Sequence, residues 1–324
     1  MNNKEKNHLL ILKKLSVLLI LTGLLGSPGC DTQVRKNEKE KAKIGQRDHA
    51  VEIITETMDF QMPDTIQSGW QTFRYVNKSY ETHFFLLDKY PEGKTIEDGE
   101  KEILPPFQEG MDLINAGKPE AAGAAFGQVP EWFSKVVFSG GSGLISPGDT
   151  AMTTLKLEPG YYVVECYVKM QNGIFHSVMG MVKKLIVTAD STGQSPPKAD
   201  VKIEISSTEG ITVDGKVSKG RQTFAVHFKD QIVHENFVGH DVNLVKLDEH
   251  ADLAVLEKWM NWLDPEGLIT PSPEGFTFLG GVNDMPEGST GYFSAHLNPG
   301  RYALISEVPN TSDKNMLKTF EVSN

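Results

Sequence analysis

Two cysteines, Cys30 and Cys166, and nine histidines are the side chains of this 324-residue sequence that could hold a soft metal or act as nucleophiles. Two thiols exclude a disulfide-rich scaffold and any site built from four cysteines. Other catalytic vocabulary is thin. There is no phosphate loop and no His-Glu-x-x-His helix. Gly140-Gly-Ser142-Gly143 is not a hydrolase elbow, because its Gly-Gly recurs later in the chain as a shared turn. The acidic run Glu97-Asp98-Gly-Glu100-Lys-Glu102 reads as a solvated loop. A lone strand cysteine such as Cys166 is, by itself, most often a small buried hydrophobe.

The context of Cys166 says more. Pro159-Gly-Tyr-Tyr-Val-Val-Glu-Cys166 is followed by nine residues, then His176-Ser-Val-Met-Gly-Met181-Val-Lys-Lys-Leu-Ile-Val. This resembles the metal-binding end of the cupredoxins, the blue-copper family. There a Pro-Gly-x-Tyr-x-x-x-Cys strand delivers a thiolate, a loop delivers a histidine, and a Gly-Met pair opens the last strand. An earlier stretch, Tyr75-Val76-Asn77 followed by Lys78 to His83, resembles the segment carrying the family's first histidine. The resemblance implies copper, with His83, Cys166 and His176 equatorial and Met181 axial. Met179 is a substitute for the axial position, and alternation along the incoming strand favours Met181. Two imidazoles, a thiolate and a weak thioether suit both copper oxidation states, which is what one-electron transfer requires.

One departure bears on the site. Small cupredoxins place two to four residues between the cysteine and the second histidine, where this chain has nine. A hairpin centred near Gln171 sets Cys166 opposite His176. One centred on Asn172-Gly173 pairs Cys166 with Met179 and sends His176 elsewhere. The register decides.

The elements that must carry these residues are mostly strands. Alternating apolar runs at 51–55, 71–76, 83–87, 151–157, 161–168 and 181–188 are separated by Pro-Gly, Asn-Gly and Gly-Gly turns. Helical spacing appears at 107–115, at 120–126 after Pro119, and at 252–263, where Leu253, Leu256, Met260 and Leu263 share a face beside Trp259 and Trp262.

Words also repeat. Gly69-Trp-Gln-Thr-Phe73 matches Gly220-Arg-Gln-Thr-Phe224, Gly140-Gly141 matches Gly280-Gly281, and Leu157-Glu-Pro-Gly-Tyr-Tyr162 matches Leu297-Asn-Pro-Gly-Arg-Tyr302. We read an internal duplication: an all-β chain of two tandem Greek-key, cupredoxin-like β-sandwich domains, each with a short helical insert. The expected segments are a signal peptide (1–29), a charged tether (30–50), domain 1 with the candidate copper site (51–189), a linker (190–199) and domain 2 (200–324).

In the second half the counterpart of Cys166 is Ser306, the Gly-Met pair becomes Asn315-Met316, and Thr311 replaces the second histidine. The early histidine survives as His234 by strict spacing, or as His240 by the pattern that follows it. Hydroxyls do not replace thiolate and imidazole for copper, so this half is expected to be metal-free. The nine histidines include no His-x-His pair. Oxidases and copper nitrite reductases, which the tandem arrangement resembles, build their second centres on such pairs. The expectation is therefore a non-enzyme.

The first residues set the location. Lys4, Lys6, Lys13 and Lys14 precede an apolar run at 15–25 that is too short to span a membrane. Gly26-Ser-Pro-Gly29 then leads to Cys30, which resembles a lipoprotein signal with lipidation at Cys30. Cleavage removes four Lys and Glu5, taking the net charge from −11 to −14. Such an acidic chain does not suit nucleic acid. The expectation is an exported lipoprotein of the cell envelope, on the periplasmic face or outer membrane, anchored through Cys30. It would bind copper for electron transfer or copper handling with a redox or copper-transfer protein partner. The alternative is a metal-free β-sandwich binding or scaffold lipoprotein.

Overall fold

The computed structural model describes residues 50–324. The signal peptide, Cys30 and the tether lie outside the described residues, except the tether's last residue, Ala50, which opens the first strand. No helix among the described residues is long and apolar enough to cross a membrane.

The first half contains β1 (Ala50–Thr55), β2 (Thr65–Asn77), β3 (Leu86–Lys89), β4 (Val137–Gly141), β5 (Thr150–Leu157), β6 (Gly160–Glu165) and β7 (Val182–Ser191). Between β3 and β4 lie α1 (Ile96–Glu102), α2 (Leu104–Asn115) and α3 (Pro119–Phe126). The second half contains β8 (Val201–Ser206), β9 (Gly210–Asp214), β10 (Gly220–Phe228), β11 (Val242–Leu247), α4 (Leu253–Met260), β12 (Phe276–Val282), β13 (Thr290–Leu297), β14 (Gly300–Ile305) and β15 (Leu317–Val322).

The halves share one strand order. The row β4-β3-β6-β7 corresponds to β12-β11-β14-β15, and β1-β2-β5 corresponds to β8-β10-β13. In each half the two rows face one another across an apolar core. Alternation builds that core: Gln71, Phe73, Tyr75 and Asn77 of β2 all point inward, and Phe73 and Tyr75 pack on Phe85 with ring centroids 5.3 and 5.6 Å apart. The fold is all-β, as the strand patterning implies, with the cupredoxin-like sandwiches that the family resemblance implies. The halves are joined directly: β5 pairs with β13 through Phe293 opposite Thr153, so one sheet runs through both. The described residues form one compact unit.

The matched Gly-Gly words have a steric cause. A Cβ on Gly141 would lie 1.8 Å from the carbonyl oxygen of Phe85, and one on Gly281 would lie 1.9 Å from that of Val242. The preceding Gly140 and Gly280 both adopt φ near +90°, which L-residues rarely adopt. Each pair lets β4 or β12 cross closely over the neighbouring strand.

Local differences from the sequence reading have identifiable causes. The acidic run 97–102 is helix α1 rather than a loop. The Thr95 N–H donates to the Asp98 carboxylate at 2.9 Å to cap it, and the Trp132 indole N–H donates to Glu102 at 2.6 Å. The expected strand at 83–87 begins only at Leu86; His83 makes an isolated bridge to Ile145. The strand expected to reach residue 168 ends at Glu165, where the site begins.

Candidate metal centre

Three segments converge at one end of the first sandwich. Cys166 directly follows β6, and its N–H donates to the Met181 carbonyl at 3.3 Å. Met181 directly precedes β7 and donates its own N–H to the His176 carbonyl at 2.9 Å. His83 exchanges backbone hydrogen bonds with Ile145 at 3.2 and 2.7 Å. The turn before it is held by the buried Asn77, whose amide donates to the carbonyls of Glu81 and Ile145 at 2.8 and 2.9 Å.

The hairpin after Cys166 follows neither expected register. Lys169 pairs with Phe175, which centres the tip on Asn172. The convergence of His176 on Cys166 comes from the turn between His176 and Met181, not from a continued ladder. Tertiary contacts fix the tip. Gln108 of α2 accepts from the Phe175 N–H at 3.0 Å and donates to the Gly173 carbonyl at 3.3 Å. The second half holds the other side: Lys169 N–H donates to the Leu268 carbonyl at 2.6 Å, and the Lys169 ammonium donates to the Trp262 and Asp264 carbonyls at 2.7 and 2.8 Å. The extra residues between Cys166 and His176 are thus a docked arm. Gln108 and Lys169 position the site without offering any signal in the sequence.

His83, Cys166 and His176 are each fully buried. Cys166 Sγ lies 3.8 Å from Nδ1 of His83 and 3.8 Å from Nδ1 of His176, and the two Nδ1 atoms are 3.1 Å apart. The circumradius of that triangle is about 2.1 Å, within the roughly 2.0–2.3 Å range of metal–imidazole and metal–thiolate bonds. These three are the group of metal-ligating side chains that the described residues bring together. Two imidazole nitrogens and a thiolate in a trigonal array are a donor set that fits copper. Met181 is fully buried beside Cys166, whereas Met179 is 51% exposed.

The remaining ring nitrogens are free. Nε2 of both histidines is buried without a hydrogen-bond partner. That of His176 lies 3.3 Å from a Glu81 carboxylate oxygen, close but without hydrogen-bond geometry. Burial dominates the electrostatics. It lowers His83 to about 4 and His176 to about 3, where the neighbouring His83 adds to the effect. Both rings are therefore neutral at pH 7, as ligands must be. Burial also pushes the Cys166 thiol up to about 12, against the opposing pull of the Phe84 and Val168 amides. A metal entering at neutral pH must displace that proton.

The second half shows the same backbone with different chemistry. Ser306 N–H donates to the Met316 carbonyl at 3.1 Å and Met316 N–H to the Thr311 carbonyl at 2.8 Å, reproducing the links among Cys166, Met181 and His176. Strand register aligns Asn243 with Leu86, so His240 takes the position of His83; His234 is a neighbour, its Nε2 2.8 Å from that of His240. Where Phe84 stands in the first half, Asp241 stands here. It accepts from the Ser306 hydroxyl and the Glu307 N–H, both at 2.7 Å.

No family model matches the sequence, and no curated protein is similar to it. Solved structures do match. Reduced auracyanin from the photosynthetic bacterium Roseiflexus castenholzii is 20% identical, covering 44% of this chain and 98% of its own, with a TM-score of 0.26. The copper-containing nitrite reductase of Thermus scotoductus (12% identity, 85% of this chain, 61% of that one, TM-score 0.21) and the blue copper oxidase of Nitrosomonas europaea (14%, 84%, 85%, 0.21) align across both halves. At such scores the fold assignment rests on the strand order above. The expectation of a non-enzyme does not stand, however: the chains aligned over 84–85% of this protein include enzymes. Its premise was too narrow, since lacking His-x-His pairs excludes only centres built on them.

Proposed function

We propose that the first half would hold one copper ion between His83, Cys166 and His176, with Met181 supplying a thioether as fourth donor, and use it for one-electron transfer or copper handling. The observation that carries this reading is the buried triangle of two Nδ1 atoms and one Sγ, with sides of 3.1, 3.8 and 3.8 Å. Bound there, copper would supply a one-electron couple. The chain's own part is to hold three donors in place before the metal arrives. Asn77 fixes the His83 turn, the Cys166–Met181–His176 backbone links fix the other two donors, and the docked 167–175 arm keeps bulk water away. Little then has to move between oxidation states.

The expected setting is an exported, lipid-anchored protein of the cell envelope, tethered through Cys30, with a protein partner that exchanges electrons or copper. The test is spectroscopic. Purified protein given Cu(II) should bind one equivalent and gain an intense visible thiolate-to-copper band. Cys166→Ser should abolish the band and weaken copper binding by more than ~100-fold, beyond the cost of losing an outer contact. A colourless protein that binds no copper, and that Cys166→Ser leaves unchanged, overturns the reading in favour of a metal-free scaffold.

A further inference from the structure

Beside the metal centre, and not part of it, lies a cavity of about 100 Å³. Its lining is mostly aromatic and includes Phe107 and Phe133 from the first half and Phe237 and Trp262 from the second, with Phe107 within 6.0 Å, ring centre to ring centre, of each of the other three. Two carboxyl groups, Glu165 and Asp284, also line it.

Acid is buried here without compensating base. Asp88, Asp241 and Glu307 lie in the same interior, and Glu307 and Asp284 each keep a buried carboxylate oxygen with no hydrogen-bond partner. None of these five carboxyl groups enters an ion pair with a lysine or arginine among the described residues. The ammonium in this part of the interior, that of Lys169, is spent on two carbonyls. Burial and mutual repulsion push Asp284 and Glu307 well above the usual carboxylate range. Without a cation such groups hold their protons; a cation brought to one favours its charged form and releases the proton to solvent.

A second observation concerns Phe237, which lines the cavity yet is half exposed, and adopts φ of +61°, next to Asn236 at +63°. A bulky aromatic residue rarely occupies this region, and such strain persists where surrounding contacts enforce it. Here the Trp262 indole N–H donates to the Asn236 carbonyl at 2.8 Å and the Asn236 amide donates to the Asn261 side chain at 2.9 Å. The strained turn holds an aromatic ring in the lining of a cavity that also contains acid. Aromatic faces around a carboxylate are the arrangement that recognises ammonium ions.

We propose that this cavity binds a small hydrocarbon ammonium ion, its charge on Asp284 and its apolar body among Phe107, Phe133, Phe237 and Trp262. The site stands apart from the copper reading and does not require the metal.

The full chain, free of copper, is titrated at pH 7 by calorimetry with cyclohexylammonium chloride and, separately, with cyclohexanol, its uncharged match in size. The ammonium should bind about tenfold tighter than the alcohol. Asp284→Asn should erase that preference while keeping the fold by circular dichroism, because it removes an unpaired buried acid. Phe237→Ala changes a half-exposed side chain and should weaken ammonium binding about tenfold; it decides the matter if Asp284→Asn does not fold. Equal affinity for the two compounds overturns the proposal, as does absence of binding or ammonium binding indifferent to both substitutions. None of these results touches the copper reading, since no metal is present.

Discussion

The two ends of this duplicated sandwich differ at three buried side chains on a shared backbone. In the first half Phe84, Cys166 and His176 surround the position that Asp241, Ser306 and Thr311 occupy in the second, while His83 and His240 correspond. The second end is satisfied from within the protein. The Ser306 hydroxyl and Glu307 N–H end on Asp241, and the Thr311 hydroxyl ends on Glu257 at 3.0 Å. The first end has no such closure: its imidazole Nε2 atoms are orphaned and its three donors face one another. The comparison teaches that one backbone turn carries two chemistries: a closed hydrogen-bond network in the second half, and three soft donors turned toward one another in the first.

The largest expected effect rebuilds the missing centre. Asp241→Phe, Ser306→Cys and Thr311→His together give the second half the first half's set, with His240 already in place. Copper bound per chain should rise from one equivalent to two, with a matching gain in the visible band. Ser306→Cys with Thr311→His alone should bind the second equivalent more weakly, because Asp241 then repels the thiolate. A triple variant that folds and still binds one equivalent breaks the correspondence.

A smaller effect appears in acid. The unfolded histidine value is about 6.5, against about 4 for His83 and about 3 for His176 in the fold. Between those values the unfolded chain takes up protons that the folded one refuses. The histidines' contribution is complete above pH 6.5 and is lost as pH falls toward 3, by several kcal/mol in the copper-free protein. Buried carboxyl groups with raised values act in the opposite direction, so the quantity to read is a difference. Urea midpoints of wild type and of His83→Gln/His176→Gln should converge on acidification. Parallel curves would mean that the two rings are not held neutral.

The smallest effect separates the two methionines. Met181→Leu should shift the copper reduction potential while costing less than about 1.5 kcal/mol of stability. Met179→Leu, at an exposed position, should leave the potential unchanged. Voltammetry showing equal shifts would remove Met181 from the centre.

Much of this architecture is legible in the sequence because it is written locally. The alternation in β2, the Gly140-Gly141 and Gly280-Gly281 crossings, and the Pro-Gly turns before β6 and β14 all act within a few residues. The helix starts at Pro119 and Asp252 are local too, and the Asp252 carboxylate accepts from the Ala254 N–H at 2.9 Å. What local pattern does not encode is set by distant partners. The hairpin centre at Asn172 depends on Gln108 and on the 268–270 segment, roughly 60 and 100 residues away. Helix α1 looks like a charged loop until Trp132 and Tyr90 cover it. The exchange of Phe84 for Asp241, which decides what each end can hold, is visible only once the strands are aligned. The early histidine of the second half stayed ambiguous between His234 and His240 for the same reason.

The pairing of β5 with β13 has one more consequence. A strand with an open side recruits whatever extended chain it meets, and proteins hide such sides to stay soluble. Here each half hides the other's: Thr153 and Phe293 lie opposite one another where two bare rims would otherwise be. The copy without a thiol is therefore no idle remnant. It is the selvedge of the copy that has one, and a first half cut free along that seam would fray into aggregates before its chemistry could be measured.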